Sequence, residues 1–297
     1  MGRSVYPRRR LFRFQGLGPH FEYPYMSAQT TTRRLTQADL AKLYETGEKI
    51  VMFTCYDASF ARLLDGAGIE ALLIGDSLGN VIQGHDTTLP VTVSDIAYHT
   101  AAVKRGCDHP FIIADMPFGS YQESPEQAFR NAVILMAAGA QMVKLEGGKE
   151  MAATVEFLVQ RGIPVCGHVG LTPQSVHVLG GYKVQGKGEA AAQRLKDDAL
   201  ALQAAGATMI VLEAIPARLA TDVTESLKII TIGIGAGNRT SGQVMVVHDV
   251  FDIPPGRKAK FVRNFMEGAS SIDDAARQAL KATKDGSYPG PEHTYAG

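Results

Sequence analysis

Four acidic residues each stand at, or just past, the end of a short apolar run, where α/β enzymes gather catalytic groups. The runs span residues 71–75, 111–114, 142–145 and 209–212, and the acids after them are Asp76, Asp115, Glu146 and Glu213. A fifth run, at 163–167, is followed by His168. If the runs are neighbouring parallel strands, their carboxyl ends meet at one edge and the side chains converge there. The spacing therefore predicts one polar site assembled from several strands.

Asp76, Asp115 and Glu146 follow three consecutive runs of this kind, so their carboxylates should be close neighbours. Three carboxylates around one point repel each other unless a cation lies between them. Hard oxygen ligands with room for water suit Mg²⁺ better than zinc. A helix cap or a surface ion pair is the alternative for any one of these acids, but their shared position favours a metal site.

Lys144 lies two residues before Glu146 in the same run and therefore points to the same side of the strand. An unpaired ammonium group inside a barrel is costly, so the lysine should meet carboxylates or an anionic substrate. A Schiff base with a carbonyl substrate is the alternative. Because nearby carboxylates would raise the lysine pKa, we favour charge pairing.

Glu213 and His168 follow later runs. Glu213 stands apart from the three predicted metal ligands at an apolar strand end, which suits a general base. Three roles remain open for His168: a metal ligand, a hydrogen-bond donor to the substrate, or a core histidine. The first is the least favoured, because the proposed ligand set is already rich in oxygen.

The chemistry-bearing runs belong to a regular alternation of strands and helices. Apolar runs predict eight strands, at 50–54, 71–75, 111–114, 141–145, 163–167, 208–212, 229–234 and 244–248. Amphipathic stretches predict helices at 36–45, 58–67, 92–105, 125–138, 149–161, 189–205 and 217–227. Such alternation indicates a parallel sheet covered by helices. Eight units in roughly 210 residues favour a closed (β/α)₈ TIM barrel.

Two loops that follow strands are long, at 76–91 and 169–188, and loops on this side of a barrel usually carry specificity. Their polar residues are Ser77, His85, Asp86, Thr172, Gln174, Ser175, Tyr182, Lys183 and Gln185. A glycine-rich stretch at 233–238 invites a dinucleotide interpretation, but Asn238 breaks the G-x-G-x-x-G spacing. We expect these glycines to allow a close backbone approach instead.

The bulk composition excludes several functional classes. The 297 residues include 30 basic and 30 acidic ones, and beyond the first dozen residues no basic block predicts a nucleic-acid surface. Three cysteines lack the spacing of a zinc site or a disulfide framework. No apolar stretch approaches the roughly 20 residues that cross a membrane. These features predict a cytoplasmic protein that acts on small molecules through one catalytic domain at 35–297, C-terminal tail included.

Residues 1–34 form a basic extension, in which five arginines precede the single acidic residue, Glu22. One interpretation is an organelle targeting peptide. The other is a disordered or extended start, with Met26 as the natural initiator. We favour the second, because the aromatic residues at 21–25 interrupt the amphipathic Arg- and Ser-rich pattern of a targeting helix.

From about residue 36 to residue 293 the chain resembles the ketopantoate hydroxymethyltransferase family, whose members are (β/α)₈ barrels of the phosphoenolpyruvate/pyruvate type. The matching motifs are GDSLG at 75–79, GHDTTLPVT at 84–92, YHT at 98–100, ADMPF at 114–118, VKLEGG at 143–148, GHVGLTPQ at 167–174 and IGIGAG at 232–237. The chain departs from the family pattern at 251–260, where Pro254, Pro255 and a basic run replace an apolar loop. That departure leaves the closing segment and the oligomer contact open.

The resemblance implies transfer of a hydroxymethyl group from 5,10-methylenetetrahydrofolate to 3-methyl-2-oxobutanoate, giving ketopantoate in the first step of pantothenate biosynthesis. It implies an enolate whose charge is held by Mg²⁺, one ion per subunit, and a homo-oligomer, a decamer in this family. A metal-dependent barrel aldolase or lyase acting on a free aldehyde or another ketoacid is the second interpretation. A catalytically silent barrel that binds or assembles is the third, and the intact set of polar residues argues against it.

The resemblance also implies roles for six residues that match its motifs. They are the Mg²⁺ ligands Asp76, Asp115 and Glu146, the substrate contacts Ser77 and Lys144 beside Asp76 and Asp115, and the proton acceptor Glu213. For His168, whose role stays open, we predict a substrate contact.

Overall fold

The computed structural model describes residues 33–253 and 258–296, and most of the basic extension therefore lies outside the described residues. Eight strands close into a barrel in chain order, and every neighbouring pair is parallel. They are β1 Ile50–Thr54, β2 Ala71–Ile74, β3 Phe111–Asp115, β4 Met142–Glu146, β5 Val165–Gly170, β6 Met209–Glu213, β7 Ile230–Ile234 and β8 Gly242–Met245. The predicted (β/α)₈ TIM barrel is confirmed.

Helices follow the strands around the barrel. Those in the described residues are α1 Gln37–Glu45, α2 Ala58–Ala67, α3 Leu78–Val81, α4 Val93–Gly106, α5 Pro125–Ala138, α6 Ala152–Val159, α7 Val176–Leu179, α8 Glu189–Ala204, α9 Ala217–Ser226, α10 Val247–Val250 and α11 Ile272–Lys284. Short 3₁₀ turns occur at Lys149–Met151, Pro173–Ser175 and Pro291–His293. None of these helices is long and apolar enough to cross a bilayer.

Polar caps explain where several helices begin. The side chains of Thr36 and Thr92 accept hydrogen bonds from the backbone N–H of the third residue of α1 and α4. In each helix this third residue is an aspartate, and its side chain accepts a hydrogen bond from the backbone N–H of the capping threonine. The side chain of Ser124 accepts a hydrogen bond from the third residue of α5, and a proline occupies the first helical position. These caps satisfy backbone N–H groups that have no partner within the helix.

The strands alternate between two apolar layers. One layer packs strands against helices, and the other fills the barrel interior with Ile50, Met52, Ala71, Leu73, Phe111, Ile113, Met142, Cys166, Met209, Val211, Ile230, Ile232 and Val244. Leu40 of α1 belongs to the interior layer. Because side chains alternate along a strand, the interior positions continue to Asp115, Lys144 and Glu146 at the carboxyl ends. The barrel interior is therefore apolar at depth and polar at one end.

Two strand boundaries differ from the sequence prediction in ways that matter for the site. The eighth strand spans Gly242–Met245 rather than 244–248. At Gly242 a Cβ would lie 2.2 Å from the carbonyl oxygen of Ile50, so barrel closure requires a glycine that carries little strand signal. β5 begins after Pro164 and extends to Gly170, so His168 lies within the strand rather than beyond it.

The region after β8 contains α11, where the sequence pattern predicts only a C-terminal tail. This helix packs against α2 and β1. Its buried face consists mainly of alanines, namely Ala275, Ala276, Ala279 and Ala282. At the other end, Arg34 donates to the carbonyl of Pro110, and Arg33 pairs with Asp39. These two arginines of the basic extension therefore contact the barrel.

Candidate active site

A cavity of about 130 Å³ opens at the carboxyl ends of the strands. Its lining includes all seven residues selected from the sequence, namely Asp76, Ser77, Asp115, Lys144, Glu146, His168 and Glu213. Strand parity explains this convergence, because Asp115, Glu146 and Glu213 each end a strand and point inward with the interior layer. The structure thus brings together every residue that the sequence placed in one site, while their chemical roles stay predictions.

Lys144 and Asp115 form a buried ion pair. The Nζ atom lies 2.7 Å from Asp115 Oδ1, and the two residues are direct partners in the register of β3 and β4. Although burial lowers it, the carboxylates of Asp115, Glu146 and Asp76 raise the pKa of Lys144 above its ordinary value. A lysine held in its charged form supports the charge-pairing interpretation over imine chemistry.

His168 connects two carboxylates across the site. Its Nδ1 atom lies 3.4 Å from Glu146 Oε1, and its Nε2 atom lies 3.2 Å from Glu213 Oε2. Burial and Lys144 lower the pKa of the imidazole, but Glu146 and Glu213 outweigh them and raise it to about 9. Despite its own burial, Glu146 has a lowered pKa because His168 and Lys144 stabilise its charge. The two acids therefore favour the charged form of the histidine, while Lys144 Nζ, 3.3 Å from Nδ1, opposes it.

Asp76 lies just beyond the end of β2, in contact with Asp115 and Gln174. Its backbone N–H donates to Asp115 Oδ2 at 3.0 Å, and its Oδ2 atom accepts from Gln174 Nε2 at 2.8 Å. Burial, followed by the negative charges of Asp115 and Glu146, raises the pKa of Asp76 to about 8. Burial also raises the pKa of Asp115, against the opposing effect of Lys144. The ionised forms of Asp76 and Asp115 are therefore disfavoured, and additional positive charge close to them would stabilise these forms.

The donor chemistry fits a hard cation. Asp115 Oδ1 and Glu146 Oε1 are buried, and neither accepts a well-aligned hydrogen bond. Among the residues that the structure describes, no three His, Cys, Asp or Glu side chains are grouped so that they could hold a metal ion by themselves. Mg²⁺ does not need such a group, because it is commonly held by one or two carboxylates together with water and substrate oxygens.

Ser77 brings a hydroxyl group to the same cavity. Its Oγ atom lies 2.8 Å from the hydroxyl of Tyr56, which is itself fully buried in the loop after β1. Sequence reasoning missed Tyr56, because a tyrosine in a short loop carries no periodic signal. It also missed Tyr121 in the loop after β3, whose hydroxyl lies 2.7 Å from Gln174 Oε1.

A second part of the cavity lining, the apolar wall, consists of hydrocarbon side chains. It is formed by Leu73, Val211, Ile234, Val244, Val246 and Phe261. The glycine-rich stretch after β7 makes room for this wall, because Gly235 has φ +61° and a Cβ there would lie 2.7 Å from the ring of Phe261. This is the close approach expected from the sequence. A polar half and an apolar half suit a short anionic substrate with a branched hydrocarbon end.

The other polar residues of the long loops have different places. Apart from Ser77, none of those named in the sequence analysis contributes to the cavity lining in the part of the chain that the structure describes. Gln174 contacts Asp76 from outside the cavity. The unusual stretch at 251–260 includes residues 254–257, which lie outside the described residues. Beside them, Lys258 lies 3.8 Å from Asp249 and 3.6 Å from Asp252.

Comparison with solved structures shows the same fold. A putative phosphonomutase from Burkholderia cenocepacia J2315 matches with a TM-score of 0.57 and 18% identity, over 71% of this chain and 92% of that one. A phosphoenolpyruvate phosphomutase from Streptomyces platensis subsp. rosaceus gives 0.56 and 14%, over 72% and 82%. At these identities the likeness concerns the barrel alone.

Sequence comparison is more specific. Two relatives named 3-methyl-2-oxobutanoate hydroxymethyltransferase align over 271 residues, which is 91% of this chain and 100% of each relative. The one from Dechloromonas aromatica (strain RCB) is 82% identical, and the one from Azoarcus sp. (strain BH72) is 61% identical. The family model described as ketopantoate hydroxymethyltransferase matches residues 34–291. The chain therefore belongs to the ketopantoate hydroxymethyltransferase family.

Proposed function

We propose that this protein is the enzyme that transfers a hydroxymethyl group from 5,10-methylenetetrahydrofolate to 3-methyl-2-oxobutanoate, giving 2-dehydropantoate for pantothenate biosynthesis. The observation that carries the proposal is the cavity itself, in which four acids, a lysine and a histidine face an apolar wall. A ketoacid with an isopropyl group matches both halves. The names and high identity of the relatives support the same reaction.

We propose that Asp76, Asp115 and Glu146 together hold one Mg²⁺ ion, one or two of them directly and the rest through bound water, with ketoacid oxygens completing its coordination. A bound Mg²⁺ would supply Lewis-acid stabilisation of the negative charge that forms on the ketoacid when it loses a proton. The raised pKa of Asp76, which reflects burial and neighbouring carboxylates, supports a divalent cation at this place. Loss of activity with EDTA and its recovery with Mg²⁺ would test this assignment.

The ketoacid carboxylate and carbonyl would lie among Ser77, Lys144 and His168. Lys144 supplies a fixed positive charge in a site that largely excludes water, where electrostatic stabilisation is strongest. Ser77 supplies a hydroxyl donor, oriented by Tyr56. The apolar wall around Val211 would receive the isopropyl group. These contacts fix the carbon next to the carbonyl relative to the base.

Glu213 is our proposed general base. It is the least buried of the four acids, with 16% of its side chain exposed, and it lies at the end of β6. Its Oε2 atom contacts His168 Nε2 at 3.2 Å, so the imidazole orients the carboxylate. After Glu213 removes the proton from C3 of the ketoacid, that carbon forms a bond to the one-carbon unit of the folate. A water molecule supplies the hydroxyl oxygen, and the two bonds from the one-carbon unit to the folate nitrogens break. The departing tetrahydrofolate takes up the proton from Glu213 and the remaining hydrogen of the water.

The assay that decides the function is tetrahydrofolate-dependent hydroxymethylation of 3-methyl-2-oxobutanoate, run with and without EDTA. Product that requires both folate and the metal is expected. Product formed from free aldehyde without folate, or from another ketoacid in preference, would instead indicate a metal-dependent aldolase or lyase, which the same site could serve. No turnover with any ketoacid would indicate a silent barrel.

We also propose a homo-oligomer, a decamer by analogy with the family. The exposed side chains of Tyr98 on α4 and of Val133 and Ile134 on α5 support an apolar contact surface, because these two helices pack side by side. Light scattering after gel filtration would measure the subunit number. A cytoplasmic location is likewise proposed, and the free buried thiols of Cys55, Cys107 and Cys166 support a reducing compartment.

A further inference from the structure

Gln174 occupies an unusual position behind the carboxylates of the cavity. It lies in the 3₁₀ turn that follows β5, and only 5% of it is exposed. Its side-chain Nε2 atom donates to Asp76 Oδ2 at 2.8 Å and to the carbonyl of Met116 at 3.0 Å. Its backbone N–H donates to Glu146 Oε2 at 3.0 Å. One residue therefore holds an oxygen of two different acids.

Tyr121 fixes which way the amide of Gln174 faces. A tyrosine has one hydroxyl hydrogen, and the Tyr121 hydroxyl lies 2.7 Å from Gln174 Oε1 but 3.1 Å from the carbonyl of Glu146. The same hydroxyl accepts from the backbone N–H of Glu146 at 3.1 Å. Gln122 Nε2 also donates to Gln174 Oε1, at 3.3 Å. The amide oxygen thus faces two donors.

The opposite orientation of the amide is unfavourable. The carbonyl of Met116 can only accept hydrogen bonds, and so can Asp76 Oδ2 in the ionised form that would bind a cation, so both require the NH₂ group of Gln174. A flipped amide would place an oxygen against two acceptors and two hydrogens against Tyr121. The hydrogen bonds to Asp76, Met116 and Tyr121 are buried, which makes each unsatisfied group there costly. The network therefore has one arrangement.

We propose that Gln174 is a positioning residue for the cation site, which holds Asp76 Oδ2 and Glu146 Oε2 so that the second oxygen of each acid is left for the cation, its water or His168. This proposal rests on the function proposed above. Hydrogen bonds to metal-binding carboxylates fix their orientation, and their loss typically weakens metal affinity about 10- to 100-fold. Because Gln174 bridges loops from three strands, it also fixes the spacing of the two acids.

The test is binding of Mn²⁺ alone to the full chain, measured from the electron paramagnetic resonance signal of the free ion. Gln174→Met keeps the length of the side chain and the backbone N–H, but it removes all four hydrogen bonds of the side-chain amide. We expect a dissociation constant about 10- to 100-fold higher than that of the parent. Gln185→Met is the matched control, because Gln185 lies in the same loop and its side chain donates to the carbonyl of Lys183, away from the carboxylates of the cavity.

Kinetics separate positioning from a general loss of structure. For Gln174→Met, the Mg²⁺ concentration for half-maximal turnover should rise by a similar factor, while kcat at saturating Mg²⁺ recovers most of the parent value. If Gln174→Met does not fold, Gln174→Asn serves instead, since it withdraws the amide by one methylene. Folded Gln174 variants that bind Mn²⁺ within twofold of the parent would overturn the proposal. Because the parent's own activity is assayed separately, a wrong reaction would not be mistaken for a wrong role of Gln174.

Discussion

Lys144 Nζ lies 2.7 Å from Asp115 Oδ1 in a site where both side chains are almost completely buried. The pair is set by register, because the two residues lie opposite each other on β3 and β4. Lys144 is a fixed cation among several carboxylates, and its loss would leave them with His168 as the remaining positive side chain of the cavity lining. Asp115 is both the partner of Lys144 and a proposed metal ligand, so metal binding should affect the free energy of unfolding of the protein.

Lys144→Met should destabilise the metal-free protein strongly, because it leaves the buried Asp115 carboxylate without its partner. Breaking a buried pair costs about 3–5 kcal/mol of unfolding free energy. Mg²⁺ should recover part of this loss, since it supplies positive charge at the same acids. Urea unfolding in EDTA and in Mg²⁺ measures both effects. Lys196→Met is the control, because Lys196 pairs with Asp222 at the surface and should matter by less than about 1 kcal/mol. Equal destabilisation in both buffers would contradict the shared site.

Asp115→Asn should abolish Mn²⁺ binding and turnover while the fold is retained. The substitution keeps the shape of the side chain but removes the negative charge that a hard cation requires. Calorimetric titration with Mn²⁺ and circular dichroism give the two readouts. Asp197→Asn, on the exposed side of α8, should bind Mn²⁺ as the parent does. An Asp115→Asn protein with unchanged Mn²⁺ affinity would remove Asp115 from the ligand set.

Strand parity explains why so much of the site could be predicted from the sequence. Lys144 and Glu146 share one face because they are two residues apart, and Asp115 and Glu213 end strands whose apolar runs are easily seen. The sequence predicts His168 just beyond its strand, whereas the structure has it within β5, but its inward direction follows from the same alternation. Positions within strands are therefore fixed by period alone.

Loop residues could not be placed in this way. Tyr56, Tyr121 and Gln174 reach the site through turns whose path depends on tertiary contacts, so no spacing in the sequence relates them to Asp76. Phe261 joins the apolar wall from a segment that is far from the strands along the chain. These residues become visible only when the loops are assembled on the barrel.

Tyr56→Phe should raise the KM for 3-methyl-2-oxobutanoate by roughly 2- to 12-fold, the equivalent of one ordinary hydrogen bond. The phenol hydroxyl contacts Ser77 Oγ at 2.8 Å, so its removal frees the serine hydroxyl to rotate away from the substrate. The kcat should change little, because Tyr56 does not line the cavity. Steady-state kinetics measure both constants, with Tyr98→Phe as an exposed control. A loss confined to kcat would argue against a binding role for Ser77.

Removal of residues 1–25 should leave kcat, KM and the melting temperature nearly unchanged. The family match begins at residue 34, and the described contacts of the barrel begin at Arg33 and Arg34. Assays of the shortened and full chains side by side provide the comparison. A large loss of activity or of soluble protein after the deletion would show that the basic extension contributes to the structure.

Glu213→Gln tests the proposed base without changing the size of the side chain. The carboxylate contacts His168 Nε2 at 3.2 Å, and a glutamine oxygen can make the same contact, so the geometry should be retained. Binding of Mn²⁺ and of 3-methyl-2-oxobutanoate should therefore persist. What the variant loses is a group that can accept a proton.

The decisive measurement is exchange of the C3 hydrogen of 3-methyl-2-oxobutanoate with deuterated water, followed by nuclear magnetic resonance. General bases typically contribute about 10²- to 10⁴-fold, so Glu213→Gln should slow both exchange and product formation by factors in this range. Exchange at the parent rate alongside lost product would assign deprotonation to another group. In that case Glu213 would act later, when the deprotonated ketoacid attacks the one-carbon donor, and His168, its partner at 3.2 Å, would be the next candidate to substitute.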